Sequence, residues 1–235
     1  MKGIKALKNT SATRIAASIV GIGVIGLGGF EHGFFEMLQG DVTPSSVVID
    51  AIGPAQRFWP GASEPAFSLI PNMLVTGICA MIVSLLIAIW AGAFIDRKYG
   101  APVLLLLSII LFLVGGGGGP IVIALIACIS ATHINKPLTW WRKRLPFQVR
   151  GFLARLWPWS PIVALLFFYF AVEIAIFGMP FVWFLSTDIT LVILSIVGNI
   201  STVLLLVTVL AAFAYDIQKQ PDSTQASSTQ GRLGQ

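Results

Sequence analysis

The chain has 235 residues, of which 56% are apolar and only 11% are Asp, Glu, Lys or Arg. Soluble domains carry about a quarter charged residues, so roughly half of the expected charge is missing and the rest is gathered into short segments. That excludes a soluble enzyme domain, a nucleic-acid-binding module and a disordered regulator. The net charge of +5 comes from Lys and Arg flanking apolar runs, the pattern of a membrane protein.

In chain order, a basic arm over residues 1–14 carries Lys2, Lys5, Lys8 and Arg14 and leads into the charge-free run from Ile15 to Phe30. A secretory signal begins in the same way, but no small-x-small cleavage site follows. The run continues through FEHGFFEML, so a retained first segment is expected over 15–38. Gly21, Gly26, Gly29 and Gly33 recur along it and, with Ala17, form small-xxx-small pairs that let helices approach closely in lipid.

Residues 39–70 form a proline-containing loop with Arg57 against Asp41, Asp50 and Glu64, too short for a catalytic domain but long enough to act as a lid. A second segment is expected over 71–95. The charge-free stretch 101–135 would make a single helix about 52 Å long, well beyond a bilayer core of about 30 Å. It is broken by Gly115 to Gly119 and Pro120. Two short helices, 101–115 and 120–135, are expected instead, as a hairpin or as a re-entrant pair with its glycine tip buried in protein.

The segment 136–158 holds Lys136, Arg142, Lys143, Arg144, Arg150 and Arg155 with no acid, bracketed by Trp140, Trp141, Trp157 and Trp159. It reads either as a helix lying on anionic lipid headgroups or as a loop that only sets orientation. Further segments are expected over 159–180 and 189–214, the latter with a polar stripe of Ser195, Gly198, Asn199 and Thr202 turned inward. A disordered polar tail is expected over 216–235. The fold class is therefore an all-α membrane bundle of about six segments. The basic arm, the loop at Arg97 and Lys98, and the 136–158 segment all lie inside by the positive-inside rule, giving an inner-membrane protein with both termini cytoplasmic.

Ionisable groups within a membrane are costly and commonly functional. The sequence offers Glu31, His32 and Glu36 in the first segment and Glu173 in the fifth. His32 and Glu36 share a helix face with Gly29 and Gly33, and Glu31 points about 100° away. Three readings stand for the trio: groups in headgroup water, the outer mouth of a proton or cation relay centred on Glu173, or two ligands of a metal site that lacks its third. Glu173 is either the relay's acceptor or a protonated carboxyl bonded to Tyr169 one turn back. Cys79 and Cys128 read as inert thiols, and no cofactor or enzyme motif is present.

Gly92-x-x-x-Asp96-Arg97 followed by Gly100 resembles the cytoplasmic loop signature of major facilitator transporters, which implies a cytoplasmic turn there. EHGFFEMLQG (31–40), EPAFSLIPNMLVTG (64–77) and FIDRKYG with the glycine run resemble a group of uncharacterised prokaryotic membrane proteins, a resemblance that implies no activity. Two function classes follow. One is translocation of a proton, ion or small solute. The other is an accessory or scaffold subunit whose glycine faces meet partner helices and whose basic segment holds lipid; a homo-oligomer fits either.

Overall fold

A computed structural model describes residues 11–180, 182 and 184–219. Lys2, Lys5 and Lys8 of the basic arm and residues 220–235 of the tail lie outside the described residues. Most of the described chain is helical, and it holds almost no strand. α1 is Ala12–Leu38, α2 Met73–Ala93, α3 Gly100–Leu113, α4 Gly118–Thr132, α5 Thr139–Arg144, α6 Phe147–Leu156, α7 Ser160–Phe177 and α8 Thr187–Lys219. Two short strands, β1 (Val48–Asp50) and β2 (Pro65–Phe67), pair antiparallel with Ile49 opposite Ala66.

The helices begin where local chemistry allows. Ser11 caps α1 by accepting the Arg14 N–H at 3.2 Å, and Asn72 caps α2 by accepting that of Val75 at 3.0 Å. α1 is interrupted by a π-helical stretch, Gly21–Gly26, whose wide turn offers the Gly23 carbonyl to the Tyr169 hydroxyl at 2.5 Å.

The surface inverts the rule for soluble proteins. α2 turns Ile78, Ile82, Leu85, Leu86 and Ile89 outward, and α7 and α8 do the same with Leu166, Phe170, Val192, Ile196 and Val203. The interior face of α2 is mostly small and weakly polar: Thr76, Gly77, Ala80, Ser84 and Ala91 are buried, along with Met73 and Ile87. Large apolar groups outside and small groups between helices suit a lipid surround. α1, α2, α7 and α8 are long and apolar enough to cross a membrane. This is a membrane-embedded helical protein.

Glycine sets the closest contacts. A Cβ on Gly33 would lie 2.7 Å from the Gly77 carbonyl oxygen, one on Gly29 2.5 Å from Leu111, and one on Gly21 2.4 Å from Ala91. Gly26 sits more loosely, 3.2 Å from Ala88. The inward stripe expected on the last segment is corrected. Ser195 and Asn199 are exposed, Asn199 bonds only the Ser195 carbonyl one turn back, and nothing lies within 4 Å of a Cβ on Gly198. Helical periodicity groups such residues on one face without saying which way that face points. α8 instead buries Val197, Ser201, Leu205, Thr208 and Ala212.

α3 and α4 pack together as a helical hairpin, and their 14 and 15 residues amount to about 21 and 22 Å of helix. The turn between them takes positive φ at Gly115 (100°) and Gly117 (79°), which only glycine adopts readily. Gly115 donates to the Phe67 carbonyl at 3.0 Å, and Leu69 donates to that of Leu113 at 2.9 Å, so the tip is stitched to β2. Gly115, Gly116 and Gly117 are buried.

At the opposite end, Arg14 donates to the Gly92 carbonyl and Ser130 to that of Thr13. Arg142 donates to the Ile217 carbonyl at 3.1 Å, which ties the basic segment to α8. Lys136, Lys143, Arg144 and Arg155 are exposed, Arg150 is half-buried, and Arg144 stacks over Trp140. Of the four tryptophans expected at the surface, Trp140 and Trp159 are exposed, Trp141 stacks on Phe213, and Trp157 is buried against Ala12, Ala16 and Ala211. The tail also begins later than expected: α8 runs to Lys219, with Asp216 holding the start of α1.

Candidate functional site

The last two turns of α1 carry Glu31, His32 and Glu36, and both helices of the 101–135 hairpin end beside them. A Cβ on Gly117 would lie 2.5 Å from His32 Nε2, and one on Gly115 2.4 Å from a Glu36 carboxylate oxygen. The glycine run therefore lays bare backbone against two ionisable side chains that any other residue would displace. Glu36 is fully buried, and neither of its oxygens has a hydrogen-bond partner.

The outer loop completes the site. From 39 to 72 the chain folds back over the end of the bundle, anchored by Trp59, whose indole N–H donates to the Ala175 carbonyl on α7 at 3.1 Å. Glu64 precedes β2 and is held by Asp50 of β1, whose Oδ1 accepts the Glu64 N–H at 2.8 Å. The Glu64 carbonyl accepts from Ala51 at 2.9 Å. Asp50 is itself fixed by Arg57 at 2.9 Å. This clamp directs the Glu64 carboxylate to 3.5 Å from His32 Nε2, with the two side chains only 14% and 11% exposed.

One ligand-capable atom from each of Glu31, His32 and Glu64 lies within 4.8 Å of the others. The expectation that Glu31 points away from His32 is thereby corrected: their helical directions do diverge, but a glutamate side chain is long enough to span the gap, and Glu64 reaches both from the loop. The three face a cavity of about 200 Å³ whose remaining wall includes Gly28, Pro120, Phe168 and Ala171. Glu31 Oε1, His32 Nδ1 and Glu64 Oε2 are buried without a hydrogen-bond partner. Among the described residues no Lys or Arg forms a salt bridge with these groups. Uncompensated charge in such a place costs several kcal/mol per ion, on the order of magnitude typical of buried ions, so the site calls for protons or a cation.

The other candidates fall elsewhere. Glu173 is exposed on the outer face of α7, about 6 Å before the helix ends at Phe177, and does not join the cluster. Tyr169 donates to Gly23 rather than to Glu173. Asn199 faces outward on α8. His133 stacks near Trp141 and Phe213 at the far end. Glu64 is the residue that sequence reasoning missed as part of the site. Its signals were an acid directly before the strand-like PAF, in a loop already suspected of covering the outer mouth.

No protein-family model, curated protein or solved structure matches the chain. Its functional reading rests on its own residues.

Proposed function

We propose that the chain is a multi-pass inner-membrane protein with both termini cytoplasmic that takes up a proton or small cation at its outer end and translocates it. The observation that carries this reading is the convergence of Glu31, His32 and Glu64 on one cavity, with buried Glu36 beside them. Orientation is supported by charge. Arg14, the Asp96–Tyr99 loop and the basic α5–α6 segment share one end of the bundle, and the acidic cluster lies at the other. In this reading α3 and α4 go in and return, making six segments in all.

Glu36 is the only fully buried ionisable side chain among the described residues, and the buried polar groups elsewhere in the bundle are Ser and Thr. That favours a carrier which binds at one site and changes shape over an open file of charged groups. Reconstitution into vesicles holding a pH-sensitive dye tests it under an imposed potential. Wild-type uptake of protons, or of a test cation, should fall at least about tenfold in Glu64→Gln and His32→Gln, equivalent to about 1.4 kcal/mol or more. Glu173→Gln should leave it unchanged. Wild-type vesicles that pass neither protons nor cations overturn the reading.

A second reading, an accessory or scaffold subunit, is favoured by the outward-facing Glu173 and Asn199. Polar groups on a lipid-facing surface suit a partner helix or a second copy of the chain. Native mass in mild detergent separates the two readings, because a stoichiometric companion supports the second.

A further inference from the structure

We propose that Glu31, His32 and Glu64 form a binding site for a divalent transition-metal ion of the zinc class, an inference that rests on the cation reading above and gives its site a ligand. Two carboxylates and an imidazole are a donor set such ions favour, and the imidazole disfavours calcium or magnesium, which take oxygen ligands. The three donors come from two elements far apart in the chain, the end of α1 and the loop before β2, and still reach within 4.8 Å of one another. A tetrahedral zinc site with bonds of about 2.0–2.2 Å places its donors roughly 3.4 Å apart. The His32–Glu64 pair already sits at 3.5 Å, and the widest spacing contracts to that value by at most about 1.4 Å, within the reach of two glutamate side chains.

The site's surroundings add a further uncompensated acid. Glu36 lies one turn beyond His32, is completely buried, leaves both oxygens without a partner, and packs against the backbone of Gly115 just outside the cavity. Three acids and one histidine thus crowd one end of the bundle, with no Lys or Arg paired to them among the described residues. A dication bound by the three ligands offsets that charge directly, and the cavity leaves room for a water or a transported group at the fourth position. Asp50 serves as the outer support, fixing the backbone of Glu64 as the hydrogen-bonded neighbours of metal ligands commonly do.

The test uses the full chain in detergent, with its purification tag removed so that no added histidines compete. After chelation, Zn²⁺ is titrated in against a coloured competing chelator, and thermal stability is measured with and without the metal. One zinc per chain is expected, with a raised melting temperature because the ion binds only the folded state. Glu64→Gln and His32→Gln should each weaken binding at least about tenfold and remove the thermal shift, while Glu173→Gln keeps both. Because Glu64 lies on a loop and Gln keeps its shape, the E64Q chain is expected to fold; its melting temperature without metal verifies this. No stoichiometric uptake, or uptake that persists in both ligand variants, overturns the site. Zinc binding without flux in vesicles supports the metal site and removes the transport reading. Proton flux in a chain that binds no zinc removes the site and leaves that reading standing.

Discussion

Asp216, near the end of α8, holds Thr13 at the start of α1: its Oδ2 accepts the Thr13 N–H at 2.9 Å and the Thr13 hydroxyl at 2.7 Å. Its Oδ1 accepts the Ala12 N–H at 2.9 Å. A helix start has unpaired N–H groups and a partial positive charge. Here a carboxylate about two hundred residues away in the chain caps the N–H groups that Ser11 leaves free and joins the first and last helices. Asp216→Ala should cost about 1–2 kcal/mol, as loss of a strong cap does. That corresponds to a fall in melting temperature of about 2–8 °C for a chain of this length. An unchanged melting temperature in detergent would show that the cap carries no stability.

The contact between α1 and α2 depends on two glycines. A Cβ on Gly77 would lie 2.4 Å from the Met37 nitrogen, and one on Gly33 2.7 Å from the Gly77 oxygen. These are backbone atoms that cannot rotate aside. Gly33→Leu and Gly77→Val should therefore destabilise the monomer by about 3 kcal/mol or more, at or beyond the upper end for overpacking, seen as aggregation on size exclusion after mild heating. Gly198→Ala, with open space around it, should behave as wild type. Disrupted assembly in a Gly33 variant consequently says nothing about a partner protein.

At the hairpin tip, Gly117→Ala meets both a positive φ and the His32 ring. The backbone penalty alone is about 1–2 kcal/mol, and the ring must also move. Zinc affinity or flux should drop at least about tenfold. Gly118→Ala, where nothing lies within 4 Å, should leave both intact. Equal effects at the two positions would show that the tip matters only as a turn.

Asp50 bears on the site without touching the cavity. Asp50→Ala frees the Glu64 backbone and should weaken zinc binding by about 10–100-fold. Asp50→Asn keeps an acceptor for the Glu64 N–H and loses the partly exposed pair with Arg57, whose worth is about 0–1 kcal/mol. Its binding should remain close to wild type. Matching losses in the two variants would assign the effect to the Arg57 pair instead.

The chain's own order determined a good deal: apolar runs of membrane length, a break at the glycines, and basic residues gathered beside particular runs. These are local properties. Burial of apolar surface and backbone hydrogen bonding act on neighbouring residues in the chain, so composition and helical period expose them. The candidate relay residues on α1 were legible for the same reason, since ionisable groups stand out in an apolar run. What only the tertiary structure decided is which residues meet. Glu64 joins His32 because a β-ribbon and the Asp50 clamp turn the outer loop back over α1, Glu173 stays apart because its side of α7 faces outward, and Asp216 leaves the expected tail to cap α1. Each outcome depends on the orientation of one element against another, set by close packing at glycines such as Gly33 and Gly77 rather than by any local pattern.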